Sequence, residues 1–218
     1  MRIIGGSHKG RRLTVPSGEA VRPTSDRARE ALFDILAHGR FADGPVFEAA
    51  PVLDVFAGTG AFGLEALSRG AHHATFVENK RAALVALRSN IAMLHEVERT
   101  TVLASDATRP PRAAAPATLV FLDPPYGDDL AVPALMALAG AGWVASGALL
   151  VVEVAARQKL EPPPGFTLLE ERRYGAARFV FLRREVLTVT PPSPPDTLSR
   201  RARAIARPAR STAPRSES

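Results

Sequence analysis

The strongest constraint on the fold is an alternation of short apolar runs with helix-like segments across residues 51–186. Five runs predict strands: Val52–Phe56, Ala74–Val77, Thr101–Ala104, Thr118–Leu122 and the apolar Ala148–Val154. Three segments between them predict helices: Phe62–Ser68, Arg81–His95 and Leu130–Ala141. Phe166–Arg173 and Arg178–Arg184 predict an antiparallel pair around Tyr174-Gly175. This order predicts an α/β fold whose mostly parallel sheet is covered on both faces.

Composition divides the 218 residues into three regions around that core. Residues 1–45 predict a basic extension made of a short β-hairpin, near Arg2–Ile4 and Arg11–Val15, and a helix from about Ser25 to Ala37. Residues 46–186 predict the α/β domain, and residues 187–218 predict a disordered tail with six prolines and six arginines. The chain has no cysteine, which excludes disulfides, zinc thiolate sites and thiol nucleophiles.

Further expectations concern the cellular setting. The segment Met1–Gly6 is no signal peptide, because no apolar run follows its basic residue. No stretch reaches the roughly 18 apolar residues that span a bilayer. We therefore expect a cytoplasmic protein without a membrane partner. No long apolar stripe or heptad repeat calls for an oligomer, so a monomer is expected.

Positive charge is concentrated at the two ends of the chain. The net charge is +6, and residues 1–30 and 187–218 each carry a net +4. Such ends suit a nucleic-acid partner, because lysine and arginine neutralise phosphates without regard to sequence. For the tail, a solvated basic segment explains the pattern equally well.

Polar and glycine residues follow four predicted strands, where ligands bind in open parallel sheets. Asp54–Gly60 is a glycine-rich turn that lets a ligand approach the backbone closely. Glu78 is placed to accept hydrogen bonds from a ribose, and Asp106 from an adenine amino group. Gly58, Gly60 and Gly63 also match the dinucleotide fingerprint G-x-G-x-x-G. A nicotinamide cofactor therefore remains an alternative, although it gives the fourth strand end no role.

The fourth strand end, Asp123-Pro124-Pro125-Tyr126, predicts the chemistry. The prolines fix φ and remove two N–H donors, so the Asp123 carboxylate and the Pro124 carbonyl both act as acceptors. Tyr126 offers a flat face on which an extruded base can stack. Two acceptors on the hydrogens of an aryl amine would orient its lone pair at a sulfonium methyl group. The motif therefore predicts methylation of an exocyclic amino group from S-adenosylmethionine, without a metal.

In the order of these motifs, the chain resembles class I methyltransferases that methylate amino groups. The front block Arg2–Gly6, Lys9–Arg11, Arg22–Thr24 and Asp26–Glu30, together with Phe56–Gly60 and Gly63–Ala71, resembles the bacterial 16S ribosomal RNA guanine-N2 methyltransferases of the RsmD family. The resemblance covers about residues 1–186. It implies a Rossmann-like, seven-stranded sheet with an antiparallel last hairpin, and an assembling small ribosomal subunit as substrate.

Together the motifs and the resemblance give a set of candidate site residues. The predicted catalytic residues are Asp123, Pro124, Pro125 and Tyr126. The predicted cofactor-binding residues are Asp54, Phe56, Ala57, Gly58, Thr59, Gly60, Glu78, Asn79, Asp106 and Ala107. The predicted RNA-binding residues are Lys9, Arg11, Arg22, Thr24, Arg27 and Arg29.

Two other functions remain open at this point. An adenine-N6 DNA methyltransferase shares the Asp-Pro-Pro-Tyr motif, but the interval from Asp106 to Asp123 leaves no room for a target-recognition region. A non-catalytic RNA-binding assembly factor with the same fold is the other alternative, and the intact Asp123 and Tyr126 argue against it.

Overall fold

Seven strands form a single sheet in the computed structural model, which describes residues 1–16, 26–38, 41, 46–125, 127 and 129–186. The strands are β1 (Pro51–Val55), β2 (His73–Glu78), β3 (Thr100–Ala104), β4 (Ala117–Leu122), β5 (Val144–Ala155), β6 (Phe166–Tyr174) and β7 (Ala177–Arg184). Met1–Val186 is one compact unit. The predicted tail, residues 187–218, lies outside the described residues.

The strand order is β3-β2-β1-β4-β5-β7-β6. The neighbours from β3 to β5 all pair in parallel, and β7 runs antiparallel to both β5 and β6. The predicted seven-stranded sheet with an antiparallel last hairpin is therefore confirmed. The order also makes β2, β1, β4 and β5 consecutive, so their carboxyl ends lie side by side.

Helices cover both faces of this sheet, as strand–helix alternation requires. The helices are α1 (Asp26–Ala37), α2 (Ala61–Ser68), α3 (Arg81–Met93) and α4 (Ala131–Gly140). On one face α1 and α2 pack on Phe121 of β4, through Phe33 at 5.5 Å and Phe62 at 5.2 Å between ring centroids. On the other face α4 packs on apolar side chains of β4 and β5.

The N-terminal arm, residues 1–16, packs against α2 and α3. Its two predicted strands pair only briefly: Arg2 and Arg12 form one antiparallel bridge, and Ile3 N–H donates to the Arg11 carbonyl at 2.9 Å. The pairing ends there because a short 3-10 turn, Gly6–His8, intervenes between the two segments. The backbone hydrogen bonds of the arm are those of a β-hairpin. Its two paired segments are short and do not belong to the seven-stranded sheet.

Buried side chains of α2 hold the arm in place. Both carboxylate oxygens of Glu65, which is fully buried, accept backbone N–H bonds, from Ile4 at 2.7 Å and from Gly5 at 2.8 Å. Arg69 Nε donates to the same carboxylate at 2.8 Å. A Cβ on Gly6 would lie 1.8 Å from the Ser68 carbonyl oxygen. The segments Arg2–Gly6 and Gly63–Ala71, which both carry the family resemblance, therefore contact each other in the folded protein.

No helix among the described residues is long and apolar enough to cross a membrane.

Candidate active site

The candidate site lies at the carboxyl ends of β3, β2, β1 and β4, which are consecutive in the sheet. Asp106 follows β3, Glu78 ends β2, the glycine-rich turn follows β1 and Asp123 follows β4. The structure therefore brings the four predicted strand ends into one row. Asp123 N–H donates to the Val55 carbonyl at 3.2 Å, which ties the end of β4 to the start of the glycine-rich turn.

The glycine-rich turn has a compact left-handed backbone. Phe56, Gly58 and Gly60 have φ values of 58°, 54° and 82°, and Gly60 N–H donates to the Ala57 carbonyl at 2.7 Å. A Cβ added at Gly58 would meet no atom closer than the Phe56 oxygen at 4.0 Å. Gly58 therefore presents open backbone to a ligand.

Packing explains the two other glycines of the fingerprint. A Cβ on Gly60 would lie 2.4 Å from Leu87 Cδ1, and one on Gly63 would lie 2.4 Å from Phe76 Cε1. Both positions need glycine so that α2 can lie close to β2 and α3. The match to G-x-G-x-x-G at these two positions therefore carries no information about the ligand.

Glu78 is buried and anchored by three backbone donors. Its Oε2 accepts from Gly58 N–H at 2.8 Å, and its Oε1 accepts from the N–H groups of Asn79 and Lys80, both at 2.8 Å. A carboxylate offers about four acceptor positions. About one acceptor position of the Glu78 carboxylate therefore remains open. To accept hydrogen bonds from both hydroxyls of a ribose, the carboxylate would have to share or release one of its three backbone N–H donors.

Asp106 is exposed and pre-oriented by Thr108, whose N–H and hydroxyl both donate to Oδ1 at 2.8 Å. These bonds, with the backbone bond first, lower the pKa of Asp106. Its carboxylate is therefore charged at neutral pH, and Oδ2 keeps its acceptor capacity. Ala107, the next residue, is buried beneath the loop.

Asp54 and Asp123 form an acidic centre between β1 and β4. Asp54 is buried; Oδ2 accepts from Gly63 N–H at 2.8 Å, and Oδ1 has no hydrogen-bond partner among the described residues. Burial raises the pKa of Asp54 to about 8. The hydrogen bond from Gly63 N–H lowers the pKa by less than burial raises it, and the negative charge of Glu78 raises it further. Burial, then Glu153, then Asp54 raise the pKa of Asp123 well above its usual range.

Glu153 is a site residue that the sequence patterns missed. It lies near the end of β5, in a run predicted to be apolar, and its side chain is 3% exposed. The available signal was a single acid in that run, Ala148–Val154. Because Leu122 pairs with Val152, Glu153 occupies the register position beside Asp123.

The remaining residues of the fourth strand end are only partly described. Pro124 is buried and Pro125 is exposed, so the chain reaches the surface after Pro124. Tyr126, predicted to stack on a base, lies outside the described residues. Among those that are described, no group of acidic or histidine side chains is arranged to hold a metal ion.

The predicted RNA-binding residues separate into exposed and buried positions. Lys9, Arg11 and Arg27 are exposed, and Arg11 Nη2 donates to the Met93 carbonyl at 3.2 Å. Arg29 is fully buried, and its Nη2 donates to the Arg2 carbonyl and, at 3.0 Å, to Asp26. The prediction that Arg29 contacts RNA is therefore wrong, because no surface of its side chain is available to a phosphate.

Arg22 and Thr24, also predicted to bind RNA, lie outside the described residues.

Asn90 on α3 is a second residue that the sequence analysis missed, and it links the arm to the glycine-rich turn. Its fully buried amide donates to the Thr14 carbonyl at 3.1 Å and to the Thr59 carbonyl at 3.0 Å, and it accepts from Thr14 N–H at 2.7 Å. Thr59 Oγ1 also donates to Met1 Sδ at 3.2 Å. No sequence motif marks Asn90, because its partners are 76 and 31 residues away.

Comparison with known proteins agrees with this geometry. An Escherichia coli K12 protein named ribosomal RNA small subunit methyltransferase D is 38% identical over 186 residues, which are 85% of this chain and 90% of that protein. The Haemophilus influenzae protein of the same name is 34% identical over 82% of this chain and 91% of its own length. A solved Escherichia coli structure described as a methyltransferase superposes with a TM-score of 0.72 at 39% identity, covering 85% of this chain and 98% of that one.

The family model described as conserved hypothetical protein 95 matches residues 1–183. With these relatives and the class I methyltransferase fold, the chain belongs to that family, which is the RsmD family of methyltransferases.

Proposed function

We propose that the chain transfers a methyl group from S-adenosylmethionine to the exocyclic N2 amine of a guanine in 16S ribosomal RNA of the assembling small ribosomal subunit. The observation that carries this proposal is the position of Asp123-Pro124, directly beside the glycine-rich turn, in a chain whose 38% identical relative is named for methylation of small-subunit ribosomal RNA. The motif supports the reaction, and the relatives support the choice of RNA.

The residues at the strand ends fit S-adenosylmethionine. Gly58 exposes backbone, and Glu78 is a buried acid at the end of the neighbouring strand, where it suits a ribose. The unpartnered Oδ1 of Asp54 suits a donor such as an ammonium group. Asp106, with Oδ2 available, suits an adenine amino group. The bound cofactor would supply an electrophilic methyl group on a sulfonium.

The chain itself contributes positioning at the amine. The Asp123 carboxyl and the Pro124 carbonyl accept the two hydrogens of the exocyclic amine, which directs its lone pair away from them. An aryl amine is a weak nucleophile because its lone pair is delocalised into the ring, so orientation accounts for much of the rate enhancement. We infer that Tyr126 stacks on the guanine ring.

We infer that the N-terminal arm and the start of α1 bind the RNA. Lys9, Arg11 and Arg27 are exposed and have the charge to neutralise phosphates. Arg22 and Thr24 fall between the arm and α1 in the chain, and we infer that they also contact the RNA. The tail, residues 187–218, adds six arginines and would contribute further non-specific affinity.

The test is methyl transfer from radiolabelled S-adenosylmethionine to small subunits purified from cells that lack the protein. Wild type should place label in guanine N2. Asp123→Asn should lose at least about a hundred-fold in rate, because Asn replaces one carboxylate oxygen by an NH2 donor and cannot take up the proton of the amine. Asp34→Asn, which changes an exposed carboxyl on α1, is the matched control and should retain wild-type rates.

The alternative outcomes separate the competing functions. In a parallel reaction with duplex DNA as substrate, label in adenine N6 would indicate the DNA methyltransferase. Retained binding to the subunit with no label in any base would indicate a non-catalytic assembly factor. Either result would contradict the proposal.

A further inference from the structure

A buried acid next to the reacting group has no role in the function proposed so far. Glu153 lies on β5, and β4 ends at Leu122, one residue before Asp123. Phe121 pairs with Val151 and Leu122 with Val152, so Asp123 and Glu153 are the next register positions on the two parallel strands. Side chains alternate along a strand, so Glu153 projects from the same face as Phe121 and Val151.

The surroundings of Glu153 on that face are apolar or acidic in the described strands. Its partner on β7 is Phe179, which is fully buried and lies 5.8 Å from the ring of Tyr174 on β6. On the other side, beyond Asp123, the next strand contributes Asp54, whose Oδ1 has no hydrogen-bond partner in the part of the chain that the structure describes.

Two more charged groups lie on elements that pack on this face. Glu78, on the strand beyond β1, is held by three backbone N–H groups. Helix α1, which packs over Phe121 through Phe33, carries Arg29 one turn earlier. The described contacts of Arg29 are with the Arg2 carbonyl and Asp26.

Two adjacent carboxyl groups, of which Glu153 is buried and Asp123 is half-buried, cannot both be ionised without a large cost in free energy. Their mutual repulsion and their loss of hydration together favour one shared proton. The negative charge of Glu153 contributes to the raised pKa of Asp123, second only to burial.

We propose that Glu153 is a positioning residue for methyl transfer, whose carboxyl shares a proton with Asp123 across β4 and β5 and holds Asp123 ready to accept the proton of the amine. This inference rests on the function proposed above. The amine nitrogen forms its bond to the methyl carbon as the carbon–sulfur bond breaks, with that electron pair left on sulfur. One N–H proton then passes to a carboxylate oxygen of Asp123, which leaves a neutral N-methyl amine and a neutral pair of carboxyls.

The first test measures the pair directly, in protein without cofactor or RNA. Carboxyl ¹³C shifts of Asp123, assigned by comparison with Asp123→Asn, are followed from pH 3 to pH 10 in wild type and in Glu153→Gln. Gln has the size of Glu but no charge, so the upper step of the Asp123 titration, in which the shared proton is lost, should move to lower pH by at least about one unit. If the Asp123 titration curves of wild type and Glu153→Gln coincide, the proposal is overturned.

The second test uses the rate of methyl transfer against pH. The acidic limb of kcat reports loss of the first proton from the pair, and the shared hydrogen bond favours the singly protonated state. In Glu153→Gln this limb should therefore move to higher pH, opposite to the shift of the upper Asp123 step. A purely structural role for Glu153 would lower kcat at every pH and leave the limb in place, and that result would also overturn the proposal. Glu153→Asp and Glu153→Asn form a second pair that differs only in charge. This pair replaces the first if the Gln variant does not fold.

The two proposals fail in different ways. A wild-type enzyme that methylates no guanine contradicts the proposed function, whatever the carboxyl titration shows. An active wild type whose acidic limb and Asp123 titration ignore Glu153 contradicts only the shared proton.

Discussion

Replacing Asp54 by Asn should change how stability depends on pH. Asp54 is buried, and its pKa is raised from 3.8 to about 8. The folded protein therefore holds a proton that the unfolded chain releases above pH 3.8. Since the folded state binds more protons in this window, the free energy of unfolding falls as pH rises from about 4 to about 8.

The magnitude follows from the width of that window. The free energy of unfolding falls by about 1.4 kcal/mol for each pH unit within this window. A pH of 7 lies about three units above the ordinary pKa of Asp, so the buried carboxyl lowers the stability there by about 4 kcal/mol. Asn retains an oxygen that can accept from Gly63 N–H, and it cannot ionise. Its amide leaves a buried donor in place of the unpartnered Oδ1, at a cost of about 1–3 kcal/mol that does not depend on pH.

The assay is urea unfolding of wild type, Asp54→Asn and the exposed control Asp34→Asn at pH 5, 7 and 8.5. The stability of Asp54→Asn relative to wild type should rise by several kcal/mol from pH 5 to pH 8.5. The control should track wild type. Parallel curves for wild type and Asp54→Asn would refute the assignment of Asp54 as a protonated buried carboxyl. The gain should come with weaker binding of S-adenosylmethionine, measured by calorimetry.

Five further substitutions test the arm, the glycine-rich turn and the basic surface. Glu65→Leu should cost about 3–5 kcal/mol in urea unfolding and should raise proteolysis within residues 1–16, because two arm N–H groups and the partly buried Arg69 lose their partner. An unchanged cleavage rate would contradict this. Gly63→Ala should cost about 1–3 kcal/mol by forcing a Cβ against Phe76. Gly58→Ala should instead cost about 1 kcal/mol and mainly weaken cofactor affinity, and equal effects of the two on folding and on affinity would count against the open turn. Arg27→Ala should lower the salt dependence of RNA binding by about one phosphate contact, whereas Arg29→Ala should lower stability and leave that slope unchanged. A lower salt dependence for Arg29→Ala and an unchanged one for Arg27→Ala would instead indicate that Arg29 contacts the RNA.

The sheet was predictable because its signal is local. Val52–Phe56 and Thr118–Leu122 are apolar runs that end in a glycine-rich turn and in Asp123, and parallel strands place such ends at one edge of the sheet. Helix bounds were also close, since Arg81–His95 was predicted and Arg81–Met93 is observed. The hairpin of the arm was predictable from its two short β-like runs, and the structure pairs them through backbone hydrogen bonds and the Arg2–Arg12 bridge.

Long-range burial was not predictable in the same way. Arg29 follows Asp26 by one helical turn in a basic segment, and nothing local distinguishes it from exposed Arg27. Its burial comes from the arm, whose Arg2 carbonyl takes a hydrogen bond 27 residues away. Glu153 needs the register of β4 with β5 before it can be placed beside Asp123.

The most direct test of the central claim is mass analysis of 16S ribosomal RNA from otherwise identical cells with and without the protein. We expect one guanine of 16S ribosomal RNA to carry an N2-methyl group in the first sample and to lack it in the second. The methyl group should return with the wild-type gene but not with Asp123→Asn. Identical methylation of guanine N2 in the two samples would contradict that claim.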